Sequence, residues 1–279
     1  MANNPRISVL VPIKDGEKYI ARKIRELRNL DYDHLEIIIS INKSADKSVE
    51  IASEACINMK NCKLFIQESA LEIAKHFAFL LKEATANLVV FSAVDDSMSP
   101  DFLREAIELL RKNPELVGVS ALALYENNSH GVNAIKLDLM GNRKERFLEF
   151  RKKARVSHSL FYCLTSKEIL MEFSKRYPNE FIGRDWIFNI ELIKRGKVST
   201  TPRAYIVFGE DGVSRKEDTF KLQTGRNRAP IFPFRHLITS ILRIAIKELG
   251  DLTMPLITFS IHLLIDNMKR VNKRIFANK

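Results

Sequence analysis

The 279 residues suffice for one large domain or two small ones, each with a sizeable core. A content of 46% hydrophobic and 28% charged residues excludes a disordered chain, and ten scattered glycines and nine prolines exclude collagen-like or low-complexity organisation. The net charge of +11 resembles a nucleic-acid signature until it is divided: residues 221–279 hold 11 Lys and Arg against 3 Asp and Glu (+8), whereas the first 220 hold 34 against 31 (+3).

The body alternates between strands and helices. ISVLVP (7–12) is a short apolar run, followed by EKYIARKIRELRNL (17–30), in which Ile20, Ile24 and Leu27 recur at helical spacing. LEIIISI (35–41) predicts a strand and DKSVEIASEACINM (46–59) a helix with Asp46 as cap. CKLFIQ (62–67), LEIAKHFAFLLKEA (71–84) and NLVVFSAV (87–94) continue the pattern as strand, helix and strand. Apolar strands separated by amphipathic helices predict an α/β fold, a mostly parallel sheet covered on both faces. Ligands bind such sheets beyond the carboxyl ends of the strands, which directs attention to loops 12–17, 41–48 and 94–100.

The third loop carries Asp95 and Asp96 between the apolar strand and a helix that Ser99–Pro100 would start. Adjacent carboxylates repel, and burying them without a counterion is costly. A hard divalent cation, Mn²⁺ or Mg²⁺, shared with substrate phosphates would resolve that repulsion, while the bland alternative is a solvated, helix-capping loop. The segment SINKSADKS offers Ser40, Asn42, Ser44 and Asp46 at a second strand exit, and PIKDGE offers Lys14, Asp15 and backbone groups at a third. Each is an ordinary turn by itself; together they describe a pocket for a nucleotide diphosphate.

ISVLVPIKDGEKYI, LEIIISINKSADKSVEIA and VVFSAVDDSMSPDFLREAIELLRKNPELVGVSA together resemble the family-2 glycosyltransferases, inverting enzymes of the GT-A fold, from about residue 6 to about residue 215. The resemblance implies transfer of a sugar from a nucleotide-sugar donor, a UDP-sugar foremost, to an acceptor hydroxyl. It places Pro12, Lys14 and Asp15 on the donor, Asn42 at the base- or ribose-binding position, and Asp95 and Asp96 at the metal motif. The chain departs from the family at three points. Val94 stands where the motif often begins with Asp, which makes Asp96 the stronger metal ligand and turns Asp95 toward ribose or sugar. Ile41–Asn42 replaces acidic residues, and Lys14 replaces a frequent aromatic ring.

A single displacement needs a base to take the acceptor's proton. FIGRDWIFNIELIKRGKV presents Asp185 at the start of an amphipathic helix that ends in Lys194-Arg195-Gly196, and the resemblance implies that Asp185 is this base, with Glu180 as understudy. The alternative is that Asp185 only caps its helix. Trp186 lines an acceptor pocket or fills core. GNRKERFLEFRKKAR (141–155), with seven basic residues, reads first as a solvated helix face, and His158, ahead of an apolar strand SLFYCL, as structural. Arg215 and Lys216 fall where the family has a loop closing over the diphosphate.

Residues 1–220 are thus expected to form the catalytic domain and 221–279 a helical, basic extension. In the extension His236, Ser240, Arg243 and Lys247 form a narrow polar stripe, LTMPLITFSIHLLI (252–265) is too short to cross a bilayer, and MKRVNKRIFANK closes the chain. Such helices suit the anionic surface of a membrane through residues 230–279, or pack on the body or on a second subunit of a homo-oligomer. Membrane contact would suit a lipid-linked or growing saccharide acceptor. Cys56, Cys62 and Cys163 are too few for a disulfide framework, and the first residues lack a secretory pattern, so the expected location is cytoplasmic, peripheral at the inner face of the membrane. Two other functions compete: a sugar-phosphate nucleotidyltransferase, which lacks its Gly-rich basic loop here, and a nucleic-acid-binding protein, which leaves Asp95–Asp96 unexplained.

Overall fold

The computed structural model describes residues 4–57, 59–126, 134–209, 234–248 and 250–277. The first half alternates as β1 (Ile7–Ile13), α1 (Glu17–Arg28), β2 (Leu35–Ile41), α2 (Ser48–Cys56), β3 (Cys62–Ile66), α3 (Ile73–Glu83) and β4 (Leu88–Phe91). Then come β5 (Ser97–Met98), α4 (Phe102–Lys112), β6 (Leu116–Tyr125), α5 (Arg143–Lys153), the single turn α6 (His158–Phe161), β7 (Leu164–Ser166), α7 (Lys167–Arg176), α8 (Arg184–Arg195) and β8 (Lys197–Phe208). Two further helices follow, α9 (Arg235–Glu248) and α10 (Thr253–Ala277).

The eight strands form one sheet in the order β3-β2-β1-β4-β7-β6-β8-β5. Strands β3, β2, β1 and β4 are mutually parallel, β7 runs antiparallel to β4 and β6, and β6 pairs parallel with β8. Ile13 lies opposite Ile41 and Leu10 opposite Phe91, so the loops leaving β1, β2 and β4 emerge along one edge. The order reverses at β1, where the chain steps outward to β2 and β3 and then returns to β4; ligands of open α/β sheets sit at such points.

Alternate residues of β1 serve opposite cores. Ile7, Val9 and Val11 pack with Ile20, Ile24 and Leu27 of α1, whereas Leu10 joins Ile38, Phe91 and the helices of the other face. That two-sided burial is why the strands read as continuous apolar runs. The second core also takes in Leu237, Ile241 and Ile244 of α9 and Leu256, Phe259 and Leu263 of α10. The C-terminal helices therefore pack on the body, and the expected boundary at residue 220 lies outside the described residues.

Two predicted elements differ. The strand expected over 87–94 ends at Phe91, because residues 92–96 leave the sheet to carry the two acids. The run SLFYCL is a helical turn followed by the start of β7. An unbroken apolar run has no period to separate helix from strand. Packing decides it, since the turn brings Phe161 against Phe77, Phe91 and Phe188.

Candidate active site

The loops after β1 and β2 are stitched together by reciprocal hydrogen bonds. The N–H groups of Asp15 and Gly16 donate to the hydroxyls of Ser44 (3.0 Å) and Ser48 (2.8 Å), and the Asp15 carboxylate accepts from the N–H of Ala45 (2.9 Å). Asp46 accepts from the N–H of Glu17 (3.0 Å) and of Ser48 (3.0 Å), so one side chain takes an N–H from the start of each of α1 and α2. Burial pushes the Asp46 carboxyl up, but the bonds from Ser48 and Glu17 outweigh it and hold the group below its usual range. Asp15 has φ of 50°, a left-handed conformation that aspartate tolerates better than most residues.

Asn42 is almost fully buried, and its amide spans to the loop before α3: it donates to the Leu71 carbonyl (2.8 Å) and accepts from the Leu71 N–H (2.9 Å). Its side chain thereby holds residues 68–72 against the strand exit. Lys14 and Asp15 are exposed at the rim, and Pro12 is half-buried opposite Ser40.

The third loop joins this pair directly. A Cβ at Gly16 would stand 3.4 Å from Val94, so the β1 exit rests on the segment carrying the acids. Asp96 is 7% exposed, and one of its oxygens accepts the Gly209 N–H at 3.0 Å. Burial, and secondarily the neighbouring Asp95, push its carboxyl up to about 7. Gly209 follows β8, and its position requires the absence of a side chain, since a Cβ there would meet the Asp95 carbonyl oxygen at 2.6 Å.

Asp185 begins α8 behind Gly183, whose φ of +84° only glycine adopts readily and where a Cβ would strike Leu237 of α9 at 2.7 Å. Burial raises the Asp185 carboxyl, opposed by His158 and by the backbone N–H groups of the helix start. The His158 ring bonds the Tyr125 hydroxyl through Nδ1 at 3.0 Å and packs against Phe208. Glu180, half-buried, is raised to about 7 by burial, with Arg184 opposing and Asp185 reinforcing.

One group links the two halves. The Tyr162 phenol is raised well above its usual value, first by burial and then by the charges of Asp96, Asp95 and Asp185. Its ring packs on Phe208 and Phe161. Acids from the β4 exit and from α8, some 90 residues apart in sequence, therefore bear on one side chain. The chemistry available is a pair of hard oxygen donors on one side and a carboxylate raised toward neutrality on the other.

Asp95 and Asp96 could hold a divalent cation. Among the described residues no group of three or more His, Cys, Asp or Glu could hold a metal by protein ligands alone. A donor set of one or two carboxylates suits Mg²⁺-like ions that take the rest of their shell from phosphates and water.

Other sequence candidates resolve differently. Trp186 stacks on Phe259 of α10, with ring centroids 6.0 Å apart, and so seats α8 on the C-terminal helices. The basic segment forms α5, with a capping box between Asn142 and Glu145; Lys152 and Lys153 pair with Glu149, and buried Arg146 bonds the Ile193 carbonyl (2.8 Å). Arg215 and Lys216 lie outside the described residues. His158, Tyr162 and Gly209 are site residues that sequence reasoning missed as such. A glycine directly after a long strand was a usable signal for Gly209; nothing local marks Tyr162.

The chain resembles known proteins in sequence and in fold. It is 27% identical over 210 residues to a dolichyl N-acetyl-alpha-D-glucosaminyl phosphate 3-beta-D-2,3-diacetamido-2,3-dideoxy-beta-D-glucuronosyltransferase of Methanococcus voltae, an alignment covering 70% of this chain and 64% of the relative. The chain thus spans somewhat under two thirds of that relative's length. Among solved structures it is similar to S. aureus TarS 1-349 in complex with UDP-GlcNAc, with a TM-score of 0.62 and 17% identity, over 88% of this chain and 67% of that one. It is also similar to the mannosyltransferase PcManGT from Pyrobaculum calidifontis in complex with GDP-Man and Mn²⁺, with a TM-score of 0.55 and 15% identity, over 99% and 80%. The fold is the GT-A fold. The sequence profile of Glycosyl transferase family 2 matches residues 8–172, which include β1, the stitched loops and both acids of the β4 exit, and the chain belongs to that family.

Proposed function

We propose that the protein transfers a sugar, with inversion, from a nucleotide-diphosphate sugar to a hydroxyl of a lipid-linked or growing saccharide at the cytoplasmic face of a membrane. The observation that supports this reading is the shared influence of Asp95, Asp96 and Asp185 on Tyr162, which brings the acids assigned here to donor and acceptor to the neighbourhood of one side chain.

Asp96, with Asp95, would hold Mn²⁺ or Mg²⁺, which when bound neutralises charge on the departing diphosphate. The loops after β1 and β2 form the wall for base and ribose, with Pro12, Lys14 and Asp15 at its rim and Asn42 fixing the adjoining loop. UDP is the preferred nucleotide, since a fold neighbour binds UDP-GlcNAc. Asp185 takes the proton from the attacking hydroxyl. Burial raises its carboxyl, which strengthens it as a base, and the charge of His158 acts on it in the opposite sense. Residues 1–220 act as the catalytic unit, and the C-terminal helices tie it to the membrane surface.

The C-terminal helices support the membrane reading. Ile246, Met254, Ile261, Leu264 and Ile265 of α9 and α10 are exposed, and the sequence beyond them is basic. No helix among the described residues is long and apolar enough to cross a membrane. The relative from Methanococcus voltae is named for a dolichyl-phosphate-linked substrate, which favours a lipid-linked acceptor here.

The test is a panel of nucleotide-sugars screened for thermal stabilisation with and without Mn²⁺, followed by product analysis. The expected result is a donor that stabilises only with metal and releases nucleoside diphosphate on addition of acceptor. Release of pyrophosphate instead would identify a nucleotidyltransferase and overturn the reading.

A further inference from the structure

The apolar stripe of α1 contains a lysine. Lys23 lies on the sheet-facing side with Ile20, Ile24 and Leu27, and it is 1% exposed. A buried ammonium is tolerated only when its donors are met. Here two of its three donors are met by groups that lead to the acidic loop. Nζ donates to the Ser92 hydroxyl at 3.0 Å, at the point where the chain leaves β4, and to Glu26 Oε1 at 2.8 Å. The same Glu26 oxygen accepts the N–H of Met98 at 3.0 Å, where the chain enters β5.

One ion pair thus grips both ends of the segment 92–98. A third hold comes from the residue that precedes Lys23 in the helix, since Arg22 donates to the Asp95 carbonyl oxygen at 2.5 Å. Because α1 is itself anchored to α2 through Asp46, its fixed turn acts as a template for the loop.

We propose that Lys23, acting through Glu26 and Ser92, is a positioning residue for the donor site: it clamps segment 92–98 so that Asp95 and Asp96 present their carboxylates to the diphosphate and its cation before either binds. The inference rests on the reading of these acids as donor- and metal-binding. Lys23 touches no reacting atom. Its contribution is to spare the loop an ordering cost on binding, as preorganisation does generally.

The experiment compares wild type with Lys23→Met, Ser92→Ala, the double variant Lys23→Met/Glu26→Gln and Asp96→Ala. Binding of Mn²⁺ with UDP or GDP, whichever stabilises the wild type more, is measured by calorimetry. Hydrogen exchange of amides 95–98 is measured without metal or nucleotide. Lys23→Met and Ser92→Ala should each weaken binding about tenfold, the scale of one charge-assisted hydrogen bond. They should also speed exchange within 95–98 selectively and leave the acceptor KM unchanged.

A lysine of merely structural value would lower the melting temperature without a loop-specific effect. Wild-type affinity and loop exchange in a folded Lys23→Met would overturn the proposal. If that variant does not fold, Ser92→Ala and the charge-neutral double variant decide by the same criteria. Unimpaired binding by Asp96→Ala would instead overturn the metal-site reading. Selective loosening of the loop in Lys23→Met would then still establish the clamp.

Discussion

The two acid-bearing regions, the proposed donor side at the β4 exit and the proposed acceptor side at α8, hold their carboxylates in different surroundings. Asp96 has another acid, Asp95, beside it, and burial and that neighbour outweigh the opposing Gly209 N–H and the Lys23 ammonium. Asp185 is raised by burial too, but its surroundings, His158, Arg184 and the start of α8, all favour the charged form. A carboxylate next to a carboxylate gains from a further cation; one next to an imidazole and a helix N-terminus has its charged form already favoured by them. The supports differ as well. The loops after β1 and β2 are held by side-chain-to-backbone bonds, and the start of α8 by its packing on α9 and α10.

The largest expected effects separate the two acids. Asp185→Asn should lower kcat by about 10²–10⁴-fold, the usual contribution of a general base, while Mn²⁺-dependent nucleotide binding measured by calorimetry persists. Asp96→Asn should lose that binding along with turnover. Equal binding by both variants would erase the distinction drawn here.

Gly209→Ala tests the donor side without touching an acid. Its Cβ would meet the Asp95 carbonyl at 2.6 Å and push the loop, for which steady-state kinetics should show a loss between about ten- and a hundredfold. On the acceptor side, Leu237 is fully buried and rests on the Gly183 turn. Leu237→Ala should cost about 2–5 kcal/mol in urea unfolding and reduce turnover, yet leave nucleotide affinity near wild type. A loss of nucleotide affinity would show that the two sides are not separately supported.

The smallest expected effect is a slope. With a carboxyl near 7 in the fold and 3.8 as the ordinary value, the metal-free folded state holds a proton that the unfolded chain has released. Stability from Asp96 is therefore full below about pH 4 and is lost as pH rises through 7, each unit being worth about 1.4 kcal/mol. Melting temperature without metal should fall between pH 5 and pH 8, Mn²⁺ should reverse part of the fall, and Asp96→Asn should flatten it. Glu180, also near 7, leaves a residual slope of the same sign in that variant.

The first four strands and their helices were legible because two-sided burial writes itself as apolar runs, and the helices between them carry a single stripe. The paired acids were legible because strand exits in such a sheet are where ligands bind. The strand predicted through SLFYCL was not, since an aromatic cluster rather than any periodicity makes it a turn. Lys23 sat on an apolar stripe where helical spacing alone assigns core, and only the distances to Ser92 and Glu26 give it a task.

By itself the sequence determined the α/β alternation, the edge at which the loops gather and the residues that carry charge there. These follow from local patterns, the pleat and the helical turn, which each stretch of chain obeys without reference to the rest. Only the tertiary structure decided that Asp185 shares the neighbourhood of Tyr162 with Asp95 and Asp96, that Gly209 closes on the acidic loop and that α9 and α10 pack on α8. Such contacts join residues tens to hundreds of positions apart, and their energy comes from burial and fit that no short window of sequence contains.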